Sequence, residues 1–247
     1  MGNILERCRR INTAPSIREF RREEISNEKF KIYLEFEENG EINILKQPII
    51  LEVIHVQTID STMPASREYI DKGNKDPFIY NTVIQTSGRG KGPRKWIGSI
   101  EGNIYTSTCI PLSMIKNELN ENDIIVKITA ISIIQQLTKI KKGEFFLKYP
   151  NDILCKEKRK LGGIIAENYK DFCIIGFGIN IVDKPDEDQI RKQGLSPCFI
   201  NAHLNDEDKK PNALNLSIEV TKQILCNLKL KTTEINELFE KYIIKDD

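Results

Sequence analysis

Histidine and tryptophan are scarce in this chain: its 247 residues hold two histidines, His55 and His203, and one tryptophan, Trp96. No motif flanks either histidine, so serine-, cysteine- and zinc-hydrolase readings have no support, and a structural role is expected of both. The six cysteines (Cys8, Cys109, Cys155, Cys173, Cys198, Cys226) form no Cys-x-x-Cys pair and have no zinc-like spacing to histidine. That is the pattern of reduced, structural thiols in a cytoplasmic protein, with no dedicated metal site. No run of about 18 apolar residues occurs, and the charged residues 1–10 lack the apolar block of a secretory signal, so neither a membrane span nor export is expected. Glu6 stands where a myristoylation motif needs Ser or Thr. Without export, the triplet Asn215-Leu216-Ser217 carries no glycosylation meaning. An excess of one charge is lacking too: 37 Lys and Arg face 36 Asp and Glu, a net +1, which argues against a globally basic nucleic-acid binder.

With 39% hydrophobic and 30% charged residues the chain has the balance of a soluble globular protein, long enough for one large domain or one domain with an appendage. Its one concentrated anomaly is Gln85 to Ile100. This stretch holds Gly88, Gly90, Gly92 and Gly98, the cations Arg89, Lys91, Arg94 and Lys95, the sole tryptophan, and no acid. Glycine permits tight turns and close backbone approach, successive N–H groups form anion-binding nests, and arginine adds a two-pronged donor. The stretch matches neither the phosphate loop of NTPases nor Gly-x-Gly-x-x-Gly, because Pro93 holds the sixth position from Gly88. Taken alone it fits an anion site, a solvated basic turn, or an RNA-contacting loop with Trp96 as a stacking platform.

Read in order, residues 1–28 are dense in both charge signs and read as a peripheral arm. Phe30 to Phe36 alternates, as do Ile42 and Ile44 after Asn39-Gly40, which predicts a hairpin with a tight turn. Ile49 to Val56 reads as a strand. Ser61 is placed to cap a helix running to about Asp71, with Gly73 stopping it. Strands are expected at 78–84, 103–110, 145–147, 153–155, 160–167 and 172–181. Apolar residues at 124, 125, 128, 131, 134, 137 and 140 predict a helix from 122 or 123 to about 140. Residues 183–208 read as loop, with helices over 217–230 and from about Thr233 onward. No repeat and no helix-turn-helix is visible. The irregular mixture predicts an α+β fold, a mixed sheet flanked by helices, with residues 1–48 as an N-terminal extension and 49–247 as the main domain.

Three further stretches stand out. Lys148-Tyr149-Pro150-Asn151-Asp152 places a lysine at a strand end before a proline-stiffened turn. Lys160-Leu161-Gly162-Gly163-Ile164 and Gly176-Phe177-Gly178-Ile179-Asn180 are strands with interior glycines, which mark bulges or close approach of a ligand. Each alone is as well read as an ordinary turn or a bulged core strand. Together with Asp60-Ser61-Thr62 and with Gln85-x-x-Gly88-Arg89-Gly90 followed by Arg94-Lys95-Trp96, they form five ordered motifs. In that order and spacing, over about residues 49–243, the chain resembles the biotin protein ligases.

That resemblance implies the family's fold, a catalytic domain akin to class II aminoacyl-tRNA synthetases, and its chemistry. ATP and biotin would give biotinyl-5'-AMP, and the biotinyl group would pass to a lysine on a biotin carboxyl carrier domain of a carboxylase such as acetyl-CoA carboxylase. By the same resemblance Arg89 and Lys148 would be catalytic, holding the biotin carboxylate and the α-phosphate. Ser61, Thr62, Gln85, Gly90, Lys91, Gly163 and Gly178 would join them around biotin. Lys91, Arg94, Trp96, Asn151, Asp152 and Asn180, with Arg89, would bind ATP. Mg²⁺ would come with the ATP, there would be no nucleic-acid partner, and the protein would act as a monomer or homodimer. Met63, Tyr149 and Lys91 depart from the usual Asn, Trp and Arg. Lysine in place of arginine implies a looser hold on the adenylate. Neither the C-terminal β-barrel common in the family nor a DNA-binding domain is expected. The nearest alternative of the same fold is lipoate or octanoate ligation. The loop is also expected to be mobile when empty and to close over bound ligand.

Overall fold

The computed structural model describes residues 16–38, 41–42, 48–98, 100–119, 121–182 and 196–244. One sheet dominates. Its strands are β1 (Ser16–Ser26), β2 (Lys29–Glu38), β3 (Glu41–Ile42), β4 (Ile49–Ile59), β5 (Phe78–Arg89), β6 (Lys95–Gly98), β7 (Ile104–Pro111), β8 (Phe145–Lys148), β9 (Asp152–Cys155), β10 (Lys160–Tyr169) and β11 (Phe172–Ile179). The helices are α1 (Thr62–Asp71), α2 (Asn122–Ile140), α3 (Ala213–Asn227) and α4 (Thr232–Tyr242). The strand order is β1-β2-β4-β5-β7-β11-β10-β9-β8, with β3 on β2 and β6 on β5. β4 and β5, joined through α1, run parallel and the other pairs run antiparallel, so the expected mixed sheet is the architecture observed.

Strand alternation assigns the two faces. Val53, Ile79, Ile110 and Ile175 enter the large core with Ile125, Ile128, Ile131, Ile134 and Leu137 of α2, together with residues of α3 and α4. Their strand neighbours Ile54, Phe78, Cys109 and Ile174 point the other way and pack with Met63 and Ile70 of α1. Three helices therefore cover one face. The single short helix α1 covers part of the other and leaves room beside it. Among the described residues no helix is long and apolar enough to cross a membrane.

Several expectations need correction. Residues 16–26 are not a peripheral arm but strand β1, paired along β2. It is held by its backbone ladder to β2, with Ile17 against the core; among its charges Arg18 meets Glu35 at 3.1 Å, and Lys222 of α3 reaches Glu19 at 3.0 Å. Residues 1–15, the Asn39-Gly40 turn and Ile44 lie outside the described residues, although β2 and β3 do pair across that turn. α3 starts earlier than its apolar periodicity suggests, because Asn212 caps it, accepting from the Asn215 N–H at 3.0 Å. Within the expected 183–208 loop, Ile200–His203 forms a 3₁₀ turn, and 183–195 lies outside the described residues.

The Gln85 to Ile100 stretch is not an open loop. β5 runs five residues past its expected end, and β6 returns along it with Gly88 opposite Trp96 and Arg89 opposite Lys95. The turn is closed by Gly90 N–H donating to the Arg94 carbonyl at 2.9 Å, and Gly92 at its tip has a φ of 64°, a backbone region that favours glycine.

Candidate active site

The space beside α1 is a cavity of about 460 Å³, the size of a small-molecule site. Its floor is made by glycine. Along β11, Phe172 and Ile174 fill the α1 layer, but the next residues on that face are Gly176 and Gly178. Gly163 of β10 lies opposite Gly178. A Cβ on Gly178 would sit 2.3 Å from Trp96 Cε2, and one on Gly163 would sit 3.2 Å from Cζ3. The Trp96 indole thus lies directly on the glycine pair, an apolar anchor for the β5–β6 hairpin that the sequence did not reveal. The indole Nε1 is buried with no hydrogen-bond partner among the described residues.

The buried wall comes from the start of α1. Ser61 occupies the N-cap position, yet its hydroxyl makes no cap hydrogen bond. Instead Gln85 Oε1 accepts from the Thr62 backbone N–H at 2.9 Å and from Thr62 Oγ1 at 3.3 Å. Ser107 Oγ donates to Thr62 Oγ1 at 2.8 Å. The side chain that caps the helix therefore comes from β5, not from the helix's own flank. Burial pushes the Tyr105 phenol above its usual range, so it stays a neutral donor, to the Ile100 carbonyl at 3.0 Å.

The rim is cationic. Arg89, Lys91, Arg94, Lys95, Lys148 and Lys160 line the cavity, against the single carboxylate of Asp152. Asp152 is committed to Lys160 at 2.7 Å, and that ammonium also sits 5.7 Å from the Trp96 ring centroid. Arg89 is 3.8 Å from Glu167, whose carboxylate is already held by Arg67 at 2.6 and 2.9 Å. Among the described residues no carboxylate pairs with Lys91, Arg94, Lys95 or Lys148.

Every site residue expected from the sequence lines this cavity: Ser61, Thr62, Gln85, Arg89, Gly90, Lys91, Arg94, Trp96, Lys148, Asn151, Asp152, Gly163, Gly178 and Asn180. Some are engaged with the protein itself. Asn151 Nδ2 donates to the Ile164 carbonyl at 2.9 Å and pins the β8–β9 turn to β10. Asn180 Nδ2 reaches the Lys160 carbonyl at 3.4 Å. Tyr149, next to Lys148, is 56% exposed and lies against α4, its ring centroid 6.4 Å from that of Phe239. The sequence reading missed Lys160, Lys95 and Tyr105. Lys160 had a visible signal, a lysine opening a glycine-bearing strand, whereas Tyr105 is embedded in an unremarkable strand run.

A model of the biotin/lipoate A/B protein ligase family matches residues 55–180, half of the chain and all of the cavity lining. The chain belongs to this family. Among curated relatives, this ligase-family chain is 28% identical over 113 residues to the biotin–[acetyl-CoA-carboxylase] ligase of Mycobacterium tuberculosis, covering 45% of this chain and 42% of the relative. The matched region thus spans less than half the length of that relative. Among solved structures, the biotin protein ligase of Aquifex aeolicus in complex with biotin and ATP superposes with a TM-score of 0.63 at 25% identity, covering 78% of each chain. The biotin protein ligase of Leishmania major in complex with biotin gives 0.68 at 25% identity, covering 78% of this chain and 81% of that one.

Proposed function

We propose that this protein joins biotin to ATP, forming biotinyl-5'-AMP and pyrophosphate, and passes the biotinyl group to a lysine of a biotin carboxyl carrier domain. The observation that carries this reading is the cavity wall: six cations, four of them without a carboxylate partner among the described residues, surround a glycine floor on which the Trp96 indole lies. An apolar ring system with a carboxylate tail, brought against a triphosphate, needs a flat floor and an excess of positive charge. Relatives named for biotin ligation, and a neighbour that holds biotin and ATP together, support the choice of substrates.

The first step opposes two anions. A biotin carboxylate oxygen forms a bond to the α-phosphorus while the bond to the β-phosphate oxygen breaks and pyrophosphate leaves. Catalysis then rests on positioning and charge neutralisation. Arg89 offers two parallel donors and Lys148 a compact ammonium for the carboxylate and α-phosphate, and Lys91 and Arg94 reach the polyphosphate. Gly163 and Gly178, which seat the Trp96 indole, and Gly90 keep side chains of their own out of the ligand's path, while Ser61, Thr62 and Gln85 form the polar end of the biotin pocket. Trp96 and Asn180 would meet the adenine, with Asn151 and Asp152 holding the adjoining turn. An unpaired buried N–H costs about 1–3 kcal/mol, so an acceptor on the ligand would improve the environment of the Trp96 indole. In the second step the carrier lysine amine attacks the acyl carbon, the acyl–phosphate bond breaks, and AMP departs.

The lining's one carboxylate is bound to Lys160, so the cavity residues do not form a dedicated Mg²⁺ cage. Mg²⁺ belongs here with the phosphates of its nucleotide. A reaction driven by ATP supports the cytoplasmic location expected from the sequence. Pyrophosphate release with biotin or lipoate as the acid, followed by mass analysis of a carrier domain, tests the reading. Release with biotin and a lysine heavier by one biotinyl group are expected, and preference for lipoate would overturn the choice of acid.

A further inference from the structure

Outside the cavity, the fold gathers Cys155, Glu157, Cys198 and His203 so that one ligand atom from each lies within 4.8 Å of all the others. We propose that these four residues are the ligands of a structural zinc site that fastens the β9–β10 turn to the 3₁₀ segment behind the cavity wall.

The donor set fits zinc. Two sulfurs, one imidazole nitrogen and one carboxylate oxygen are the atoms tetrahedral Zn²⁺ takes, at bond lengths that separate neighbouring ligands by roughly 3.3–3.8 Å. Cys198 Sγ lies 3.0 Å from His203 Nε2, and His203 Nε2 lies 3.7 Å from Glu157 Oε2. Both sulfurs are buried, at 0% and 2% exposure, beside the imidazole, while Glu157 closes the group from the solvent side. Magnesium and calcium, which prefer oxygen, are poorly served by two thiols.

Behind the imidazole stands a second carboxylate. Glu144 Oε2 is 3.4 Å from His203 Nδ1, on the ring atom facing away from the cluster, and Phe145 packs edge-on against the ring at 5.6 Å between centroids. A carboxylate on that side, brought to hydrogen-bond distance, would favour the proton on Nδ1 and leave the Nε2 lone pair for a metal, as the outer partner of a zinc-bound histidine does. A ligand role in a structural site stays within the structural role expected of His203. His55 differs: its Nδ1 pairs with Asn81 Oδ1 at 2.6 Å, away from any such group.

The backbone explains why the sequence hid the site. Cys155 ends β9, Glu157 sits in the turn, and Cys198 lies more than forty residues on. Lys160 N–H donates to the Ser196 carbonyl and Cys198 N–H to the Lys160 carbonyl, each at 2.8 Å. These bonds bring the distant segment alongside β10. The same segment supports the cavity wall, since Ile200 N–H donates to the Asn180 carbonyl at 3.1 Å. A metal here would brace Lys160 and Asn180 from behind without touching the ligand.

The test starts with the whole protein, purified without chelator, and its metal content by mass spectrometry. About one zinc per chain is expected of a closed four-ligand site. Metal is then removed with chelator under reducing conditions and CoCl₂ added. The expected result is a sulfur-to-cobalt charge-transfer band and the intense visible bands of tetrahedral Co²⁺, both displaced by ZnSO₄. Cys198→Ser and Cys155→Ser should lose the charge-transfer band or diminish it, and Glu144→Gln should weaken zinc affinity about 10–100-fold while keeping the spectrum. Should the cysteine variants fail to fold, the cobalt spectrum of the unaltered protein decides alone. Zinc at background level with no thiolate band would overturn the proposal. So would zinc binding unchanged in a folded Cys155→Ser variant, or Cys155 and Cys198 recovered as a disulfide from protein kept reduced. None of these results depends on biotin or ATP, so the site and the proposed reaction stand or fall separately.

Discussion

Gln85 caps a helix to which it does not belong: its Oε1 accepts from the first N–H of α1, at Thr62, over 2.9 Å, and from the Thr62 hydroxyl over 3.3 Å. One amide thereby ties β5, at the root of the β5–β6 hairpin, to the buried wall of the cavity. Gln85→Ala leaves a buried N–H without its acceptor, so unfolding in urea should show a loss of about 1–3 kcal/mol. Titration calorimetry should show weaker biotin binding in the same variant. Unchanged stability would mean that water or Ser61 replaces the cap.

Gly178→Ala places a methyl where the Trp96 indole now lies, 2.3 Å from Cε2. The indole must shift, and because Trp96 is the sole tryptophan, its fluorescence reports the shift without interference. A red-shifted emission and weakened nucleotide binding are expected. Emission identical to the parent protein would show that the indole does not rest on the glycine pair.

Lys148 is exposed at the end of β8 and has no carboxylate partner among the described residues. Its removal should cost catalysis and not stability. Lys148→Ala is expected to slow pyrophosphate release about 10²–10³-fold, the cost of deleting one transition-state donor, with thermal stability changed by less than about 0.5 kcal/mol. Full activity in this variant would remove Lys148 from the mechanism.

Lys91 lines the cavity and offers a point charge where a planar fork would grip an adenylate at two oxygens. Lys91→Arg should retain biotinyl-AMP longer and lower the biotinylation of bystander proteins, measured by streptavidin blotting against the parent. Equal leakage from the two proteins would show that Lys91 does not set retention.

How much of this was legible beforehand differs from element to element. The α2 helix was plain because seven apolar residues keep a 3.6-residue period over five turns, which buries one stripe whatever the partner. β1 was illegible for the opposite reason. It is held by its ladder to β2, with Arg18 meeting Glu35 and Glu37 of that strand, and pairing across a sheet leaves no period in the sequence.

The sequence by itself determined which residues would line the cavity. Glycine at 163 and 178, the cations at 89, 91, 94 and 148, and their order along the chain suffice to mark the family and the cavity lining, because those demands act on single residues and on local backbone. Tertiary structure alone decided who partners whom. It gave the α1 cap to Gln85 rather than Ser61, laid Trp96 on the glycine floor, paired Asp152 with Lys160, and brought Cys155 and Cys198 to one imidazole. Those relationships depend on strand register and on contacts between distant segments, and neither leaves a local trace in the chain.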